Sequence, residues 1–182
     1  MADASVPDFK SVLGTLSGAQ VEYILVGGLA AIGHGGSRAT FDVDVVYSRA
    51  PENVARLVRA LSPYHPYPRG APPGLPFQWD AKTLLRGLNF TLTTDLGDLD
   101  LLGEIAGGGT YEELLPRTVD LKVFGEIFRC LDLRMLIQVK RAAGRPKDFE
   151  ALAELEAILE EEERMQTEQR IPMPPHDRAP PP

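Results

Sequence analysis

Phe41-Asp42-Val43-Asp44-Val45-Val46-Tyr47 is the stretch that decides how this chain is read. A β-strand alternates its side chains, so Asp42 and Asp44 share one face while Val43 and Val45 turn to the core. Two parallel carboxylates repel, and at a partly buried site the arrangement is costly unless a cation neutralises it. The natural cation is Mg²⁺, a hard ion that takes oxygen ligands and keeps waters and substrate phosphates in its shell. Taken alone, an acid-x-acid pair also describes an exposed edge strand, so the flanks have to decide.

Upstream, Val21 to Val26 is an apolar, β-rich run closed by Gly27-Gly28, and Leu29 to Gly33 predicts a short helix that Gly35-Gly36 stops. Strand, glycine corner and helix together aim backbone N–H groups and the positive end of a helix at a bound anion. Downstream, Asp98-Leu99-Asp100-Leu101 repeats the alternation and predicts a second same-face pair on a strand beside the first. Asp100, flanked by Leu99 and Leu101, is the preferred third carboxylate, and Asp98 competes with it. Bound phosphates, three acids and two metals about 3.5–4 Å apart are the parts of in-line nucleotidyl transfer.

The remaining elements extend the pattern. Pro7 to Gln20 predicts a short helix, and Pro51 opens an amphipathic helix carrying Val54, Leu57, Val58 and Leu61. Ser62 to Pro76 holds six prolines and two glycines and reads as a long surface loop without regular structure. Asn89 to Thr94 and Leu99 to Leu102 read as strands broken at Gly97. Val119 to Phe124 and Ile127 to Leu131 read as a hairpin around Gly125-Glu126. Asp132 is a candidate N-cap for a helix over Leu133 to Ala143; Gly144 to Pro146 breaks it, and a last helix runs from Lys147 to about Met165. The expected fold class is an α/β (α+β) mixture around one sheet.

The 182 residues are 43% hydrophobic and 25% charged, which suits one globular domain. Folding at this length buries roughly 70% of the chain's surface, enough for a core without disulfides. The single cysteine, Cys130, agrees. No charged segment followed by a long apolar run suggests a secretory signal, and no stretch approaches the roughly 18 apolar residues of a spanning helix. A cytoplasmic protein without a membrane partner is the expectation. Nineteen Lys and Arg against 26 Asp and Glu leave a net charge of −7. That balance repels a polyanion at long range, so no long nucleic acid is expected as a partner. Glu160 to Glu163 contribute four of those charges and read as a solvated helix face.

Three other motifs fail on inspection. Gly28-x4-Gly33 is followed by His34 rather than the lysine of a Walker loop. Arg38 stands where a dinucleotide fingerprint needs its third glycine, and the Gly14 to Gly18 segment is not a nucleophile elbow.

Val26-Gly27-Gly28, Gly35, Arg38-Ala39-Thr40-Phe41-Asp42-Val43-Asp44 and Asp98-Leu99-Asp100 together resemble the minimal nucleotidyltransferases of the DNA polymerase beta superfamily. Lys140-Arg-Ala-Ala-Gly-Arg145-Pro-Lys147-Asp148 extends the resemblance to the abortive-infection, toxin-like branch. The resemblance spans about residues 21 to 150. It implies a mixed β-sheet flanked by helices, with further helices at the C-terminus. Residues 1–168 would form a nucleotidyltransferase-like domain and 169–182 a disordered Pro-rich tail. It also implies that Asp42 and Asp44 bind Mg²⁺, with Mn²⁺ as a substitute, and that Asp100 is the third ligand and activates the acceptor hydroxyl. Gly27 and Gly28 would hold the triphosphate of an NTP by backbone contacts. Lys140 would neutralise phosphate charge from its helix, Arg145 and Asp148 would complete that wall of the cleft, and Arg38 would contact phosphate. The sequence departs from many members at Gly27-Gly28, where they carry Gly-Ser, which removes a hydroxyl contact to phosphate.

The implied reaction moves an NMP from an NTP to an acceptor hydroxyl, releasing pyrophosphate. A protein hydroxyl, a tRNA end and a small molecule all stay open as acceptors. The alternative is a non-catalytic nucleotide-binding protein, or one that meets a cognate antitoxin, on the same scaffold. Plainer roles stand beside these: Arg38 as an ion-pair partner of the acidic strand, Lys140 as a solvated helix lysine, Phe77 and Trp79 as an anchoring cluster, and Cys130 as an inert core thiol.

Overall fold

The computed structural model of the chain describes residues 8–144 and 148–170; at 148, 169 and 170 it describes the backbone alone. Arg145, and with it the 171–182 part of the Pro-rich tail, lies outside the described residues, as does the side chain of Asp148.

The acidic strand β2 (Asp42–Tyr47) is central. Antiparallel β1 (Tyr23–Leu25) flanks it on one side and parallel β5 (Gly97–Leu102) on the other. Outside β5 lie β4 (Asn89–Thr94) and the two-residue β3 (Tyr67–Pro68), both in antiparallel pairings. Outside β1 lie β9 (Glu126–Leu131), parallel to it, and its hairpin partner β8 (Thr118–Val123). The short strands numbered β6 (Glu104–Ile105) and β7 (Gly109–Thr110) form a separate ribbon. Among the described residues the main sheet therefore has seven strands in the order β3-β4-β5-β2-β1-β9-β8.

The helices are α1 (Phe9–Gly18), α2 (Gly27–Gly33), α3 (Pro51–Leu61), α4 (Ala81–Arg86), α5 (Tyr111–Leu114), α6 (Leu133–Ala143) and α7 (Asp148–Arg170). Val43, Val45, Leu92, Leu99 and Leu101 are almost fully buried on the apolar face of the sheet, with α3 in contact with both α1 and α4 over the same core. Removing such area from water is the main favourable term of the fold. On the carboxylate side α2 packs on β2 and α6, and α6 packs on α7. Fully buried Asn53 ties α3 to the entry of β1 and the exit of β2: its Oδ1 accepts from Glu22 N (2.7 Å), and its Nδ2 donates to Glu22 O (3.0 Å) and Ser48 O (2.8 Å). Its Oδ1 also accepts from Arg56 Nη2 (3.3 Å), and a buried amide with all its donors and its acceptor engaged stabilises the junction instead of straining it.

β2 and α6 have the expected bounds, and the 118–131 hairpin forms. The proline-rich stretch departs from expectation. A 3₁₀ turn covers Ser62–Tyr64, and Tyr67–Pro68 is a true edge strand, where a proline costs no ladder bond because its open side needs no donor. α4, capped by Asp80, and α5, with a Thr110–Glu113 capping box, also form where the sequence reading placed none. No helix among the described residues is long and apolar enough to cross a membrane.

Candidate active site

Parallel pairing of β2 with β5 sets Asp42 opposite Asp98 and Asp44 opposite Asp100. With a two-residue side-chain period, all four carboxylates stand on one face in two rows. Carboxylate oxygens of Asp42, Asp44 and Asp100 lie within 4.8 Å of one another, and among the described residues these are the acids that converge. Asp98 stands at the rim, its side chain 36% exposed against 17% for Asp100. The pair left open by the sequence thus divides by depth.

Asp44, half-buried like Asp42 and Asp100, is the member whose titration is displaced. Burial pushes its carboxyl up to about 6, the neighbouring charges of Asp42 and Asp100 add to the rise, and Lys140 with the Gly28 N–H pulls it down. Such a site favours either a proton or a cation. The donor set fits a hard divalent ion: three carboxylates, mutually repelling, with oxygens close enough to share one centre.

The glycine corner is there for space. Gly27 has φ +63°, and a Cβ built on it would fall 2.0 Å from Asp44 Oδ2. Glycine alone meets both demands. At Gly28 a Cβ would fall 2.4 Å from Thr40 Oγ1 and 2.6 Å from Thr40 Cβ. The threonine side chain therefore fills the volume that a side chain at 28 would take, with its hydroxyl 3.3 Å from Asp42 Oδ1. α2 is only seven residues long. In this structure the negative group held by the Gly28 N–H is the chain's own Asp44.

These residues open into a cavity of about 540 Å³. Gly27, Gly28, Thr40, Asp42, Asp44 and Lys140 form its polar end, and Ala31, Ile32, Leu136, Val139, Ala151 and Leu155 of α2, α6 and α7 its apolar end. Arg38 lines the rim but does not pair with the acidic strand; its Nη1 donates to Glu150 Oε2 of α7 at 2.6 Å. Next to it, Ser37 N and Oγ both donate to Glu154 Oε1, at 2.8 and 2.6 Å. Residues 37 and 38 thus clasp the first turns of α7 against the cavity.

Arg69 was not anticipated. Its Nη2 donates to Asp100 Oδ1 at 2.8 Å, its Nε lies 3.0 Å from Asp98 Oδ2, and its Nη1 lies 3.7 Å from Asp42 Oδ2. Nothing local marks it, because it sits among prolines and reaches the acids only through the pairing of β3 with β4. His34 belongs to the frame, with Nε2 2.8 Å from Leu131 O. Trp79 Nε1 donates to Val58 O (3.0 Å), and Phe77 meets Tyr67 edge-on at 6.2 Å, so both aromatics anchor the long connection. Cys130 is fully buried, and burial lifts its thiol to about 12, which leaves it inert.

A crystal structure of a candidate nucleotidyltransferase from Thermotoga maritima superposes on the chain with a TM-score of 0.51, at 15% identity, over 88% of this chain and 91% of the other. The fold is nucleotidyltransferase-like. The likeness reaches the scaffold and does not single out the toxin-like branch. Neither a protein-family profile nor a curated protein sequence matches the chain.

Proposed function

We propose that the protein is a Mg²⁺-dependent nucleotidyltransferase that moves an NMP from an NTP to an acceptor hydroxyl. The observation that carries this reading is the convergence of Asp42, Asp44 and Asp100, the first two of which line a cavity walled also by Gly27, Gly28 and Lys140. A divalent cation held by the three acids would polarise the α-phosphate and offset the charge on the leaving group. Asp100 takes the proton of the acceptor hydroxyl as its oxygen bonds to the α-phosphorus. The bond from that phosphorus to the bridging oxygen breaks, and pyrophosphate leaves. Lys140 neutralises the triphosphate from α6, and the glycine corner lets it approach without a side chain in the way. Arg38 lines the rim of that wall, and roles for Arg145 and Asp148 in holding the nucleotide rest on the family resemblance alone. Positioning and charge neutralisation carry the rate, with no covalent intermediate on the protein.

The acceptor is a protein hydroxyl, a tRNA end or a small molecule, and the compartment is the cytoplasm. One observation favours the alternative, a non-catalytic nucleotide-binding or antitoxin-partnered protein: Arg69 already neutralises three of the acids. Incubating the protein with each labelled NTP, Mg²⁺ or Mn²⁺ and cell extract separates the two. Transfer of label by wild type and not by folded Asp44→Ala is the expected result. Nucleotide binding without label transfer by either protein would leave the alternative standing.

A further inference from the structure

The guanidinium of Arg69 and a divalent cation ask for the same oxygens. Arg69 N donates to Thr91 O at 2.9 Å, and Thr91 pairs with Asp100, which pairs with Asp44. Arg69 therefore continues the row of the carboxylates across the sheet, and its side chain lies over the same face. Its grip is uneven. Nη2 makes hydrogen bonds to Asp100 Oδ1 (2.8 Å) and Leu92 O (3.2 Å), whereas the buried Nε has no hydrogen-bond partner despite standing 3.0 Å from Asp98 Oδ2. That contact is an ion pair without hydrogen-bond geometry, so the guanidinium lacks the two-pronged fork that fixes an arginine on one carboxylate.

Of the acids it touches, Asp42 and Asp100 belong to the converging set and Asp98 does not. A cation bound about 2.1 Å from an Asp100 oxygen would meet a positive group of the protein on the same side chain, and like charges at that range repel strongly. Asp98 is different. It lies at the rim beside Asp42, within reach of the same guanidinium and outside the set.

We infer that Arg69 is the resident counter-charge of the carboxylate site, and that it must release Asp42 and Asp100 while staying anchored on Asp98 for a divalent cation to enter. The inference rests on reading Asp42, Asp44 and Asp100 as cation ligands. Asp98 is then a positioning residue that draws the guanidinium aside, and cation affinity is set by exchange between two positions of one side chain. The backbone of Arg69, hydrogen-bonded to β4, stays where it is.

Mn²⁺ binding to the full chain, followed by the loss of the free-ion spin resonance signal, tests this without any substrate. Arg69→Gln should bind Mn²⁺ about tenfold tighter than wild type, the scale on which neighbours of metal ligands act. Its metal-free melting temperature should fall and be recovered by Mn²⁺. Asp98→Asn should bind Mn²⁺ more weakly than wild type, and that loss should vanish in the Arg69→Gln background. Unchanged or weaker Mn²⁺ binding by Arg69→Gln, with wild-type binding present and lost in Asp44→Asn, overturns the inference and spares the cation site. An equal loss from Asp98→Asn in both backgrounds makes Asp98 a plain charge and also overturns it. No Mn²⁺ binding by wild type or Arg69→Gln removes the cation site itself. Should Arg69→Gln fold poorly, Asp98→Asn alone carries the test, and unweakened binding there counts against it.

Discussion

Arg69 and Lys140 both bring positive charge to the acidic face, and they are built differently. Arg69 comes from the edge of the sheet and lies against Asp42, Asp98 and Asp100. Lys140 comes from the last turn of α6, lines the cavity, and lowers the proton affinity of Asp44. One cation reaches the carboxylates across the sheet, and the other from a helix that lines the cavity. The contrast teaches that the acidic face draws its counter-charge from two separate elements, a sheet edge laid against the carboxylates and a helix that walls the cavity.

The largest expected effect breaks what both cations depend on. Asp42→Ala should reduce NMP transfer by about 10³-fold or more, the scale of losing preorganised charge at a reacting centre. Label transfer at saturating NTP measures it, and near-normal transfer would show that both cations attend a structural cluster. Next, Lys140→Ala should cost about 10²-fold in kcat/KM and abolish the thermal stabilisation that NTP gives, since a ligand stabilises only as far as it binds the native state. Arg69→Gln should keep that stabilisation. Equal loss in both variants would erase the distinction between the two sides.

A smaller effect reads Asp44 alone. Its carboxyl titrates near 6 in the metal-free fold against 3.8 ordinarily, so the folded state keeps a proton that the unfolded chain has released. Metal-free stability should therefore fall as pH rises from about 4 to 6 and then level off. Asp44→Asn should remove that slope and exceed wild type at pH 8 by on the order of 1–3 kcal/mol, with little difference below pH 4. Urea melts across this range check the sign; a wild-type stability that climbs between pH 4 and 6 would contradict it. The smallest effect lies at the rim, where Arg38→Ala removes an exposed pair with Glu150 and should change stability by less than about 1 kcal/mol. A larger loss would mean that the clasp on α7 holds more than the rim.

Much of this architecture was legible, for reasons that differ by element. β2 and α6 carry their own signals, strict alternation in one and an Asp132 cap with an apolar stripe in the other, and both have the expected bounds. The face shared by Asp42, Asp44, Asp98 and Asp100 follows from a period of two, but their register does not. It depends on a parallel pairing between strands far apart in sequence. β3 was hidden for the same reason, since two residues among prolines become a strand only when β4 supplies the partner. With β3 went Arg69. α5 is another matter, because Thr110-x-x-Glu113 is a readable capping box. Arg38 was expected beside the acidic strand or a phosphate, and its partner Glu150 on α7 lies too far along the chain for spacing to reveal.

The contact between Gly28 and Thr40 makes two positions, twelve residues apart in the chain, a single unit of substitution. Gly28→Ser brings a new side chain into volume that Thr40 already fills, while Thr40→Ala vacates that volume and takes a hydroxyl away. A mutational scan changing one position at a time would score Gly28 as intolerant; a paired library would find the serine admissible once residue 40 has shrunk. Where the hydroxyl of this corner is carried, on the turn or on the approach to the acidic strand, is thus an exchangeable choice within one fixed allotment of space.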